Sequence, residues 1–210
     1  ISKNVLIAGA GTGLIKLVSA AANAGLSGIE WASGIPGATL GGAVSGNAGA
    51  FEAEMKDIVF TVEALDAKTL KIKNFSNRAC QFAYKSSIFK KNHNLIILSC
   101  KLKLKKGGKE AVLKKTREVL NYRKSRHPFY PSAGSVFKNP QKYFTGELIE
   151  KVGLRGKKMG QAQISPVHAN FIVNLGGATS QNVLDLIKLI KKTVARKFKV
   201  KLEEEIIILE

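Results

Sequence analysis

The 210-residue chain is poor in sulfur, acid and histidine. Its two cysteines, Cys80 and Cys100, form no metal or redox spacing, which points to a reduced chain in the cytoplasm. Of the three histidines, His93 and His127 have no metal-ligand partners nearby, so no metal site is expected. His168 precedes an apolar stretch and reads as a packed or hydrogen-bonded structural residue rather than a general base. No apolar run reaches membrane-spanning length and no basic-then-apolar leader opens the sequence, so no membrane partner is expected. A starting methionine is also missing, which fits a fragment. Internal repeats and low-complexity linkers are absent.

What is present is basic. Thirty-four Lys and Arg against fifteen Asp and Glu give a formal charge of +19, which favours anionic partners. The basic residues are mostly lysines spread over the chain, with few aromatics beside them to stack bases, so nucleic acid is not the expected partner. Most of the surplus reads as solubilising lysine. A hydrophobic content of 45% suffices for one sizeable core or two small ones.

Periodicity gives an α+β chain of two halves joined by a charged helix. Residues 4–8 read as a strand, 9–13 as a turn and 14–24 as a small-residue helix ending before Gly25. This imitates a dinucleotide fingerprint as far as Glu30, but Leu14 occupies the place of the third glycine. Alternation predicts strands over 58–65, 69–75 and 95–104, the first two forming a hairpin across Asp66-Ala67-Lys68. The basic run 101–127 carries Val112, Thr116, Val119 and Leu120 at helical spacing, which predicts a connector helix over about 109–124. The second half reads as a helix over 145–152 stopped by Gly153, strands over 160–165 and 168–174, a helix capped by Thr179 or Ser180, and a final strand over 201–210. The long helix places Val183, Ile187, Ile190, Val194 and Phe198 on one face, a core stripe.

The stretch 34–51, GIPGATLGGAVSGNAGAF, carries the most information. Six glycines interleaved with alanines leave a backbone able to bend through positive φ and to touch a large flat or anionic cofactor. The glycine count alone also suits a turn-rich sheet edge. The order of residues resembles the flavin-contacting loop of the UDP-N-acetylenolpyruvoylglucosamine reductase (MurB) family. Tyr84-Lys85-Ser86-Ser87-Ile88-Phe89, Pro131 to Pro140 (PSAGSVFKNP), His168 to Asn174 and Leu202 to Ile206 are similar to four further segments of that family. In the last, Glu204 stands where proline is usual, and Lys85 stands where the family has a catalytic arginine. The family also has roughly another small subdomain before the position of Ile1, with a glycine-rich turn for the flavin pyrophosphate, which is absent here.

The resemblance implies a PCMH-type α/β FAD-binding domain, incomplete at its N-terminus, over 1–106, followed by a MurB-type α+β substrate-binding domain over 107–210. It implies FAD as cofactor and, as substrates, NADPH and UDP-N-acetylglucosamine enolpyruvate, which is reduced to UDP-N-acetylmuramate for peptidoglycan, hence roles in cell wall biogenesis, cell shape and cell division. Gly34, Ile35, Pro36, Gly37, Gly41, Gly42, Asn47, Ala48 and Gly49 are the implied cofactor contacts. Ser135 is the implied proton donor, Glu205 the partner of the enol group, and Lys85 the cation at the developing enolate. Tyr84, Arg126, Lys138 and Asn139 are the implied substrate contacts, with Arg126 placed to grip diphosphate oxygens. A monomer is expected. Two other classes remain: a non-catalytic basic module for nucleic acid or another polyanion that kept the fold, and an FAD oxidase with the same cofactor domain. The Ser135 and Glu205 segments speak against the oxidase, because they match the reductase's substrate domain.

Overall fold

The computed structural model describes residues 3–209. The chain forms two compact units, Ile1–Arg123 and Lys124–Glu210.

The first unit holds strand β1 (Val5–Gly9), helix α1 (Leu14–Asn23), β2 (Leu26–Ser27), α2 (Leu40–Ser45), β3 (Gly49–Ala50), β4 (Ala53–Glu54), α3 (Met55–Ile58), β5 (Val59–Asp66), β6 (Lys71–Ser76), α4 (Ile88–Lys91), β7 (Leu95–Lys103), β8 (Lys105–Lys106) and most of α5 (Lys109–Arg126). Its main sheet runs β1-β7-β5-β6. Every pairing is antiparallel, which excludes the dinucleotide fold that the Gly9–Gly13 turn imitates. The predicted hairpin is present, with Asp66 opposite Lys71 and its Oδ1 accepting from Lys68 N and Thr69 N. Alternation buries Val62 and Ala64 of β5 and Cys100 and Leu102 of β7 beneath Leu14, Leu17, Val18 and Ala21 of α1 and Leu40, Ala43 and Val44 of α2. Burial pushes the Cys80 thiol up to about 11 and that of Cys100 to about 12, so both stay protonated.

Two expectations are corrected here. The glycine-rich stretch is not wholly turn and edge: residues 40–45 are helical, with Thr39 Oγ1 accepting from Gly42 N at 3.3 Å. The residues from 107 onward also do not begin the second unit. Gly107 N donates to Gly25 O at 2.7 Å, Val112 and Val119 are buried, and Arg123 Nη2 donates to Trp31 O at 2.9 Å, so the charged helix belongs with the first core up to Arg123.

The second unit contains β9 (Ser132–Ser135), α6 (Thr145–Lys151), β10 (Lys158–Met159), β11 (Ala162–Ile164), β12 (Phe171–Asn174) and α7 (Ser180–Phe198), the sheet running β10-β11-β12-β9. Thr179 caps α7 in a reciprocal box with Asn182, and Leu186, Ile187, Ile190 and Val194 are buried against Phe137, Ile149 and Ile164. The strand expected from residue 168 begins at Phe171, because Ser165 Oγ accepts from Val167 N and His168 N and holds those residues in a turn. The predicted final strand reduces to one bridge between Phe137 and Glu204. Beyond it Ile207, Ile208 and Leu209 are 76%, 49% and 89% exposed and lack sheet neighbours among the described residues, outside which Glu210 lies.

Candidate active site

In the first unit, the glycine-rich stretch bends for reasons internal to the chain at some positions and stays open at others. Gly34 has φ +74°, and a Cβ there would lie 2.9 Å from Leu120 Cδ1, so α5 dictates this glycine. Gly41 crosses the Gly9–Gly13 turn, where a Cβ would meet that of Ala10 at 2.9 Å and Gly41 N donates to Ala10 O at 2.8 Å. Gly37, at φ +66°, has nothing within 4 Å of the same position and is exposed with Pro36, while Gly42 is exposed at the start of α2. Ile35 and Ala48 are half-buried against the core. Open backbone at the tip and packed backbone at the root make a rigid platform.

A polar ligand fits that root. Trp31 Nε1, Ser33 Oγ and Arg123 Nε are buried without a hydrogen-bond partner among the described residues. Such groups cost about 1–3 kcal/mol each unless a partner is supplied. Arg123 also lies 5.6 Å from the Phe51 ring centroid, and burial draws its pKa below the ordinary arginine value. Ser33 and Arg123 were not legible as site residues. The signal for Arg123 is that it continues the stripe of α5, four residues after the buried Val119.

Asn47, Gly49, Glu52, Glu54, Tyr84 and Lys85 line a cavity of about 300 Å³. Cofactor candidates and the candidate cation therefore meet in one place. Tyr84 and Lys85 are the two central residues of a tight turn closed by Ala83 N to Ser86 O at 3.0 Å and Ser86 N to Ala83 O at 3.1 Å, with Lys85 at φ +54°. Tyr84 is exposed and Lys85 half-buried. Ser87 caps α4 and donates its hydroxyl to Ser45 O at 2.7 Å, tying the turn to the end of α2.

In the second unit, Ser135 ends β9 opposite Phe171, half-buried, and no group among the described residues hydrogen-bonds its hydroxyl. The next residues leave the strand to meet the 203–205 segment: Glu205 N donates to Val136 O at 2.8 Å and Lys138 N to Glu203 O at 2.9 Å. This brings Ser135 and Glu205 to adjacent backbone positions. Two of the three glutamates take different lysines, Glu203 accepting from Lys138 Nζ at 2.9 Å and Glu204 from Lys191 Nζ at 2.7 Å. The Lys138 hydrogen bond and charge hold Glu203 below its ordinary pKa. Burial raises Glu204, but the hydrogen bond and charge of Lys191 outweigh it and leave the group lowered. Lys138 thus reaches a substrate only by exchanging partners. Asn139 Oδ1 accepts from Thr145 N at 3.0 Å, a contact that starts α6. Arg126 is exposed at the end of α5. His168 Nδ1 accepts from Asn170 N at 3.2 Å and its ring lies 4.9 Å from that of Phe171, the structural role expected of it.

Residues 124–209 match the family described as UDP-N-acetylenolpyruvoylglucosamine reductase, C-terminal domain, and residues 1–71 match an FAD binding domain. The UDP-N-acetylenolpyruvoylglucosamine reductase of Pediococcus pentosaceus is 41% identical over 207 residues, covering 98% of this chain and 68% of that protein. The chain belongs to the UDP-N-acetylenolpyruvoylglucosamine reductase family. A reductase of that name from Alkaliphilus oremlandii is 45% identical over 97% of this chain and 66% of its own length. The crystal structure of the MurB reductase from Thermus caldophilus superposes with a TM-score of 0.83 at 40% identity, covering 95% of this chain and 71% of that one. The chain therefore spans about two thirds of the length of its reductase relatives. Among the described residues, no helix is long and apolar enough to cross a membrane and no group of side chains could hold a metal ion.

Proposed function

We propose that the chain carries the chemistry of its family: NADPH-dependent, FAD-mediated reduction of UDP-N-acetylglucosamine enolpyruvate to UDP-N-acetylmuramate. The observation that carries this reading is the pairing of the strand of Ser135 with the segment of Glu205, through Glu205 N and Val136 O. It supports the reading by bringing the backbones of the two candidate residues one step apart in a chain of this family.

FAD, when bound, would supply the hydride-transfer chemistry between NADPH and the terminal vinyl carbon of the substrate. The open backbone around Gly37 and Gly42 and the donors at Trp31, Ser33 and Arg123 are the groups that would hold it. Hydride addition drives electrons of the carbon–carbon double bond towards the adjoining carboxylate. Lys85 supplies a preorganised positive charge there, stabilising the developing enolate. Ser135 Oγ donates a proton to the carbon bearing the carboxylate, completing the net addition of hydride and proton. Glu205 hydrogen-bonds the enol group and orients it. Tyr84, Arg126, Lys138 and Asn139 bind the diphosphate and sugar, with Lys138 leaving Glu203 for phosphate. In this reading the protein works as a monomer in the cytoplasm, supplying cell wall synthesis and thereby cell shape and division.

The test uses the full-length flavin-loaded protein with NADPH and the enolpyruvyl substrate. One NADPH consumed per product, with the product two hydrogens heavier than the substrate by mass spectrometry, is expected. NADPH oxidation without that product overturns the reading.

A further inference from the structure

Asn47, Phe51, Glu52 and Lys85 hold positive φ of 44°, 53°, 62° and 54°, although none is glycine, and three of them line the cavity of the first unit. Bulky residues keep such backbone only where their surroundings over-determine it, at about 1–3 kcal/mol each. For Lys85 the determinants are identifiable. Lys90 Nζ donates to Lys85 O at 3.2 Å, Ser87 Oγ holds Ser45 O, and Asn47 Nδ2 donates to Ala83 O at 3.0 Å, at the foot of the turn.

Asn47 joins the turn to the cofactor loop. It is 2% exposed, and its amide makes three bonds: Nδ2 also donates to Glu54 Oε2 at 2.5 Å, and Oδ1 accepts from Lys56 N at 3.0 Å. Its orientation is fixed by chemistry, since a backbone N–H only donates and a carbonyl or carboxylate only accepts. Both amide hydrogens and the oxygen are therefore directed at the protein, and the side chain that the sequence assigns to cofactor binding instead links the glycine-rich loop to the turn carrying Lys85.

We propose that Asn47 is a positioning residue that registers the Tyr84–Lys85 turn to the glycine-rich loop, so that the cation serving the enolate and the backbone facing the cofactor keep a fixed separation. The inference rests on the Lys85 role given under Proposed function. An offset of about 1 Å between reacting groups costs on the order of 10²-fold in rate.

Two variants of the full-length protein test it. Asn47→Gly removes the amide while keeping the positive φ accessible, and Asn47→Asp keeps the shape while removing both donors. Hydrogen exchange at the amides of Ala83 and Ser86 should accelerate at least about tenfold in both, with β5 and β7 unaffected. Reduction of the enolpyruvyl substrate should slow about 10²-fold in kcat with KM changed little, and more than the flavin's reduction by NADPH. Added to Lys85→Met, Asn47→Gly should cause little further loss, the signature of two residues acting through one contact. Unchanged exchange at Ala83 and Ser86, or independent losses in the double variant, overturns the inference. If Lys85→Met is slow and Asn47→Gly is not, this inference falls alone. If Lys85→Met reduces substrate at full rate, the Lys85 reading falls and takes this inference with it.

Discussion

Each half of the molecule is pinned by one buried asparagine, and the two are used differently. Asn47, 2% exposed, joins two loops whose backbones are bent through positive φ. Asn170, 4% exposed, closes on a single residue: its Oδ1 accepts from Phe137 N at 3.1 Å and its Nδ2 donates to Phe137 O at 2.8 Å. The second unit already has a strand ladder leading to Ser135, so its amide extends an ordered strand by one step. The first unit presents Lys85 on a turn outside its main sheet, so side-chain bonds have to set its position. A site built on a strand inherits its geometry from backbone pairing, whereas one built on turns requires dedicated polar contacts. Damage to the pin should therefore appear as lost rate in the first half and as lost stability in the second.

The sharpest way to divide the halves is Ser135→Ala in the full-length protein. Reduction of the enolpyruvyl substrate should fall by several orders of magnitude, beyond the ordinary general-acid contribution of about 10² to 10⁴. The loss should fall on that step, with flavin reduction by NADPH far less affected, as stopped-flow absorbance can follow. Equal slowing of both steps would remove Ser135 from the proton-donor role.

Next in size is Lys85. A lysine ammonium offers a compact charge on a flexible stem, while arginine holds a carboxylate through two parallel hydrogen bonds. Lys85→Met should nearly abolish substrate reduction, and Lys85→Arg should raise it above the parent rate, provided the replacement keeps the φ of +54° at this position. A parent rate unchanged by either substitution would shift the cationic role elsewhere, with Arg126 the first residue to examine.

Asn170→Ala should act on stability. Phe137 is 1% exposed, so its N–H and C=O both lose buried partners, at a combined cost of about 2–5 kcal/mol. A lowered denaturation midpoint with near-parent kinetics in the surviving folded fraction is expected. A rate defect without destabilisation would erase the contrast with Asn47.

The smallest effect concerns His168. Burial lowers its pKa below the ordinary 6.5, so the folded protein favours the neutral ring, which accepts from Asn170 N. The unfolded chain takes up the proton first as pH falls. This contribution to stability is full above pH 6.5 and is lost as pH falls from there towards the folded pKa. Urea midpoints at about pH 7.5 and about pH 5 should differ less in His168→Gln than in the parent.

Elements with their own end signals were legible in the sequence: α7 from Thr179 and its apolar stripe, the hairpin across Asp66, and α1 from its small residues before Gly25. The helix α2 was hidden because Gly41 and Gly42 are poor helix formers, held helical here by the cap of Thr39 and by contact with the Gly9–Gly13 turn. The last segment read as a strand from its apolar run, yet among the described residues Ile207 to Leu209 find no neighbour to pair with. Within the site, the grouping of Asn47, Gly49, Tyr84 and Lys85 followed from family resemblance, whereas the inward direction of the Asn47 amide depends on Ala83, thirty-six residues away, and no local pattern encodes that.

The scarcity of sulfur has a last consequence, for how the protein ages. Of its four sulfur-bearing side chains, Cys80, Cys100 and Met55 are buried, and the two thiols are held in the unreactive protonated form. Peroxide attack needs a thiolate or an accessible thioether, which leaves Met159, half-buried on β10, as the one sulfur within easy reach. Oxidative wear should begin there, on a two-residue strand at the edge of the second sheet, and leave the first core chemically untouched.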